Sequence, residues 1–298
     1  GDAPWNDFFR TELGAVRDAL GAGGARVVWV SAPTVRNTVS APHLELPPAA
    51  NPETQTLDVL HQMQAEKGVP PPGFSENDDQ RVAMVDEAIA EVAPTRDGDR
   101  YLDLAGWLAA RPEAGLSSAD RTDGVSLSPK AAEEVGDWVR QGIKGLERAR
   151  TAAVPAPETA TAAAFPDPPP VTPRRVVPAE RPAKILVVGD SVAHGVGYGL
   201  STWSEGAGRG QVVIANGAQL GCPVARNGLF KFLGQVDRFA AKCDWAGFFP
   251  RLLADENPDL VVLQTGIWEV VDRVLPGDGK WRGVRDGAQA RSAEAIHR

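Results

Sequence analysis

The chain has 298 residues, 43% hydrophobic and 23% charged, an ordinary globular balance with length enough for a sizeable core in one large domain or two small ones. A formal net charge of −8 at pH 7, with no long run of Lys or Arg, speaks against a nucleic-acid surface. No stretch reaches the roughly 20 uninterrupted apolar residues of a membrane span, and no basic-then-apolar signal segment opens a chain that starts on Gly, as a processed or excised piece would.

Residues 5–20 carry apolar side chains at helical spacing, and GAGGAR ends that helix before VVWVSAP at 27–33, a short buried strand. From 34 to 78 the chain is rich in Pro, Asn and acidic residues, with a short helix near 56–66; it reads as a long surface excursion of the kind that borders a site. A helix at 79–93 leads to a short strand within RYLDLAGWL, and a long helix follows a polar loop, with Ser128 as N-cap and Pro129 at its first position. Residues 151–183 are Pro/Ala-rich with few core formers, an extended linker. Beyond it come strand (KILVVG), helix (191–206), strand (QVVIANGA), a loop holding both cysteines, a helix around 245–254 and strand (DLVVLQTG); residues 285–298 form a tail. Strands alternating with helices on both sides of the linker predict an α/β fold with one largely parallel, five-stranded sheet covered on both faces.

The segment KILVVGDS, 184–191, delivers Ser191 at the end of a strand and the start of a helix, where backbone N–H groups are on offer to a developing anion. A plainer reading has Asp190 and Ser191 only capping the helix. The two cysteines, Cys222 and Cys243, read either as free thiols or as a disulfide of an exported protein.

The neighbours of this tripeptide resemble the SGNH, or GDSL-type, hydrolase superfamily of esterases, lipases and acyltransferases acting on carbohydrates. In that family the GDS serine is the nucleophile, which implies that role for Ser191 beside Asp190. NGAQLGCP at 216–223 matches the second block, whose glycine, here Gly221, gives an oxyanion N–H. LVVLQTGIWEVVDR matches the third, and TDGVSLSPKAAEEV at 122–135 is similar to the final block, which carries the catalytic Asp and His; Asp123 takes the Asp position. The likeness is strongest to actinobacterial-type SGNH domains found free or fused behind membrane acyltransferases, with their GxWExxDR block. In those a cysteine follows the second-block glycine and another precedes a Trp-containing helix, as in GCP and KCDW here, which implies a Cys222–Cys243 disulfide and an extracytoplasmic, cell-envelope location. The implied fold is flavodoxin-like, and the implied partner is an acyl ester or acylated glycan, with a tether to a membrane acyltransferase in a parent protein and no metal or organic cofactor.

Two departures stand out. Ser126 stands three residues after Asp123, where the family has its catalytic His, and a hydroxyl is no general base near neutral pH. Trp268 occupies the place of the oxyanion-hole asparagine; its indole N–H either donates to the oxyanion or the ring is simply packed. Glu269, Asp272 and Arg273 beside it form an ion-pair network or are solvated turn charges. Of the histidines, His43 and His61 fall on the excursion and His297 in the tail, while His194 follows Ser191 on the same helix, a poor direction for a substitute base.

The block order is also interchanged: the Asp-x-x-His-like block, in residues 1–150, precedes the GDS block, in 184–284. This predicts a circular permutant, with GKWRGV at 279–284 continuing naturally into residue 1, or else a fragment of a tandem array. The expected function is a serine esterase or O-acyltransferase on acylated carbohydrate or lipid of the cell envelope, impaired by loss of the His. The alternatives are an inactive SGNH module that binds an acyl-glycan or protein partner and a flavodoxin-like nucleotide binder, the latter opposed by the absence of a G-x-G-x-x-G spacing in GDSVAHGVG.

Overall fold

The structure, a computed structural model, describes residues 3–34, 78–111, 120–121, 124–148, 181–226, 228–232, 235–277 and 279–284. The expected helix near 56–66, most of the linker, the tail, Asp123, His43, His61 and His297 lie outside them.

Five strands form one sheet in the order β2-β1-β7-β3-β4, with every pairing parallel: β1 (Arg26–Val30), β2 (Arg100–Leu102), β3 (Ala183–Gly189), β4 (Val212–Asn216) and β7 (Leu260–Gln264). Strands from both sides of the linker thus share one sheet, because β7 pairs with β1 on one side and β3 on the other. All residues of β1 and β7 are buried, as their unbroken Val/Leu/Trp runs require of parallel strands covered on both faces. Strand β3 begins at Ala183, inside the stretch expected as linker, and Arg181 just before it is anchored by two hydrogen bonds, 2.8 and 2.7 Å, to the buried Asp259.

The helices fall into two groups. In α1 (Ala3–Gly21) the residues Trp5, Phe9, Leu13, Val16 and Leu20 recur at helical spacing and are all buried; α1 packs against α2 (Asp79–Val92) and α6 (Trp245–Glu256). Asp78 starts α2 by accepting from the N–H groups of Gln80 and Arg81. The second group pairs α4 (Pro129–Arg148) with α5 (Ser191–Glu205). Ser128 caps α4 as expected, its Oγ accepting from Ala131 N at 3.2 Å. The two helices meet backbone to backbone: a Cβ added at Gly199 would lie 1.9 Å from Ala132 O, and one at Gly136 would lie 2.6 Å from the Gly199 carbonyl carbon.

Three expectations need correction. RYLDLAGWL is a strand only through Leu102; Asp103 accepts from Gly106 N and turns the rest into helix α3 (Leu104–Ala109). The loop between the cysteines holds a hairpin, β5 (Leu229–Phe232) with β6 (Gln235–Arg238). After helix α7 (Ile267–Val270) come β8 (Arg273–Val274) and β9 (Trp281–Arg282), completing a second, antiparallel sheet in the order β6-β5-β8-β9. Mixed polar and apolar residues and strands of two to four residues left no alternating pattern to read.

The α4–α5 contact predicts that Gly199→Ala destabilises the fold by about 3 kcal/mol, since backbone rather than a yielding side chain blocks the methyl; thermal or urea denaturation measures it, and an unchanged midpoint contradicts it. Buried Asp86 gives a second expectation. Its Oδ1 accepts from Ala32 N at 2.8 Å; burial drives its pKa up from 3.8 to about 8, opposed by that hydrogen bond and reinforced by nearby Asp103. A raised carboxyl binds its proton more tightly folded than unfolded, so the stability it confers is fully present below pH 3.8 and is lost as pH rises to about 8. Asp86→Asn therefore flattens the fall in stability across that window, as denaturant midpoints measured through it will show.

Candidate active site

Gly189 ends β3 at φ +136°, in register with Gln264 of β7, and a Cβ there would lie 1.7 Å from Gln264 O. Only glycine lets the chain turn this close to its neighbour and hand on to α5. Asp190 follows as the N-cap, its Oδ1 accepting from Val192 N at 2.9 Å. Ser191 comes next, the first residue of α5 and 8% exposed. The capping reading therefore holds for Asp190, and Ser191 is left at the helix N-terminus with an N–H that donates to no group among the described residues.

Gly221 sits on the loop after β4, at φ +77°. Gln219 N donates to Gly189 O at 2.7 Å, tying this loop to the turn before Ser191, and Cys222 N closes a turn onto Gln219 O at 3.1 Å. The Gly221 N–H has no acceptor among the described residues. The Cys222–Cys243 disulfide is formed and holds the loop from its far side; closing a loop of this modest length contributes about 3 kcal/mol in the chain-entropy model. A narrow, mostly apolar hollow lined by Gly189, Val224, Trp245, Phe249 and Leu263 lies beside the disulfide.

Trp268 comes from α7, just past the end of β7. Its ring reaches over Gly221, with Cζ2 3.9 Å from where a Cβ on that glycine would stand. Phe230, Phe232 and Phe239 surround it at centroid separations of 5.8, 4.8 and 6.1 Å. The ring is packed, as one reading of the sequence has it, and its buried Nε1–H is without a partner among the described residues. The three phenylalanines were not foreseen; Phe230 and Phe232 lie on β5 and Phe239 just past β6, and their neighbours in sequence gave no reason to place them here.

Glu269 and Arg273 are fully buried, which rules out solvated turn charges for both. Glu269 Oε1 accepts from Val224 N at 2.5 Å and Thr265 Oγ1 at 2.7 Å, Oε2 accepts from Ala225 N at 3.2 Å, and Arg273 lies 3.8 Å away. Asp272 does not join them; it pairs with Arg81 of α2 at 2.8 Å, and Arg81 also donates to Val270 O at 3.0 Å. Burial pushes the Glu269 carboxyl up and the Arg273 guanidinium down. Asp190 is also driven up, to about 7, by burial and by the Glu269 carboxylate, with the Val192 N–H opposing. Its Oδ2 and the buried Oε1 of Gln264, at the neighbouring strand end, have no hydrogen-bond partner among the described residues. Neither Gln264 nor Thr265 was singled out from sequence; Thr265 precedes Glu269 by four residues, a spacing that gives it away only once the chain is known to turn there.

The loop bearing Ser126 lies against the same helix as Ser191. Leu127 packs on Gly195, one turn along α5, at 3.3 Å from its notional Cβ. Buried Arg121 fixes the loop to the end of β1, donating to Thr34 O and, at 2.6 Å, to Gly124 O. Ser126 itself is 7% exposed. The structure therefore gathers Ser191, Asp190, Gly221, Trp268 and Glu269 at the carboxyl end of the sheet and carries the Ser126 loop to the α5 flank. His194 keeps its backbone C=O tied to Asn216 Nδ2 at 3.1 Å. Among the described residues no group of His, Cys, Asp and Glu is arranged to hold a metal ion, and no helix is long and apolar enough to cross a membrane. No family model matches the chain, and no curated protein and no solved structure does either.

Proposed function

We propose that the protein is an SGNH-type serine esterase or O-acyltransferase acting on acylated carbohydrate or lipid of the cell envelope, impaired by the serine at position 126. The observation that carries this reading is the set of three N–H donors without acceptors among the described residues, those of Ser191, Gly221 and the Trp268 indole, on segments that meet at the end of β3. Backbone and indole donors left unpaired beside a serine are what a tetrahedral oxyanion needs, and the buried indole N–H costs stability while it is absent. Ser191 Oγ attacks the acyl carbonyl, the oxyanion takes these N–H groups, the alcohol leaves, and water or an acceptor hydroxyl releases the acyl group. Asp123, three residues before Ser126, orients whatever base serves the serine.

Sheet order supports the permuted SGNH reading. Counted from β3 through residue 284 and on into residue 1, the strands are β3, β4, β7, β1 and β2, and the spatial order becomes 2-1-3-4-5, the flavodoxin-like doubly wound order. The disulfide supports an extracytoplasmic setting, where such bonds persist. A tether to a membrane acyltransferase rests on the sequence likeness alone.

A second reading, an inactive module that binds an acyl-glycan or a partner protein, is favoured by Ser126. The two separate in one assay. Hydrolysis of p-nitrophenyl acetate by Ser126→His should exceed that of the parent by at least about 100-fold, the usual worth of a positioned general base, and adding Ser191→Ala should abolish the gain. No gain from Ser126→His, at retained thermal stability, removes position 126 from the site and overturns the permuted-site model, while ester hydrolysis by the parent that Ser191→Ala abolishes tells the impaired enzyme from the inactive module.

A further inference from the structure

Glu269 and Arg273 bridge the two segments that carry the non-helical donors. Glu269, from the Trp268 segment, accepts the N–H groups of Val224 and Ala225, three and four residues past Gly221. Arg273 runs the other way, donating through Nη1 to Ala225 O and through Nη2 to Trp268 O. The guanidinium thus touches both segments at once, and its own position is fixed by the rings of Trp5 at 5.7 Å and Phe239 at 5.2 Å. Thr265 holds the carboxylate from β7. Two fully buried opposite charges are a poor way to gain stability, because desolvation offsets most of their attraction. Four hydrogen bonds aimed at the backbone of the loop past Gly221 and of α7 are a good way to fix the distance between them.

We propose that the buried Glu269–Arg273 pair is a positioning clamp that sets the Trp268 indole N–H against the Gly221 N–H, so that both donors face one oxyanion. This rests on the esterase reading and adds to it residues that touch no substrate but hold those that do. Glu269→Gln keeps the shape and one acceptor, but it turns an amide N–H toward that of Ala225 and leaves Arg273 without its buried counter-ion. Thr265→Val is the milder form, removing one donor to the carboxylate.

The test uses the full chain in the Ser126→His background, with p-nitrophenyl acetate as substrate. The clamp predicts that Glu269→Gln lowers kcat about 10- to 100-fold with KM changed less than about twofold, as for loss of transition-state donors, and that Thr265→Val lowers kcat by a smaller factor. Trp268→Phe keeps an aromatic side chain but removes the N–H and part of the bulk; combined with Glu269→Gln it should cost less than the product of the two single losses, because the indole is already displaced. Backbone amides of residues 220–226 should exchange faster in both Glu269→Gln and Thr265→Val. An unchanged kcat, or losses that multiply as independent effects, overturns the clamp, and Thr265→Val decides if Glu269→Gln does not fold. If Ser126→His turns over no ester, the hydrolase reading falls by itself; exchange then judges the clamp, with parent rates at 220–226 overturning it and faster rates upholding it.

Discussion

Everything at the site depends on β7 lying between β1 and β3. That strand comes late in the chain, yet it pairs along its whole length with a strand from each side of the linker. Parallel pairing puts all strand carboxyl ends on one edge, so the GDS turn, the Trp268 segment and the loop after β1 must emerge together. Side-chain pairs between distant parts of the sequence reinforce the arrangement. Glu12 of α1 holds Arg226 at 2.7 and 3.0 Å, and Arg81 of α2 holds Asp272. Exposed ion pairs contribute little, but Glu12 and Arg81 are mostly buried, and removing one partner would strand the other charge out of water.

Closeness at the strand ends is obtained through glycine. Gly189 lies where any Cβ would enter the Gln264 carbonyl, and Gly199 and Gly136 let α5 meet α4 at backbone contact. The first brings Ser191 against β7 and therefore near the Trp268 segment. The second presses the Ser126 loop, which leads directly into α4, onto the flank of α5. Helix packing and site assembly are here one constraint.

Much of this was legible in the sequence, for identifiable reasons. Fully buried strands such as LVVLQ and RVVWV announce themselves as continuous apolar runs, and Ser128-Pro129 marks a helix start by chemistry that acts locally. The GDS turn was legible because Gly189 and Asp190 each do a local job, one turning the chain and the other capping α5. What could not be read was decided by long-range contacts. Asp272 pairs with Arg81, 191 residues away, rather than with its neighbours, and the short hairpin strands carry too few residues to show a period. The environment of Trp268 depends on three phenylalanines contributed by such elements.

The unpaired donors and the serine at position 126 are, on the proposed reading, two halves of one question. Each buried donor left without an acceptor costs about 1–3 kcal/mol; among the described residues the core indoles of Trp5 and Trp29 are left so as well, and what sets the Trp268 indole apart is its place over Gly221. Ser126 costs nothing comparable: a hydroxyl finds partners easily and changes little in the loop that Arg121 and Leu127 already hold. On the proposed reading, then, the strained half of the machinery is kept and the easily exchanged half is altered. On the proposed reading this is a site whose electrostatic part is intact and whose proton acceptor must come from elsewhere or be restored. That asymmetry is why a single substitution at position 126 addresses function, whereas changes at Glu269 or Arg273 address the framework that function would need.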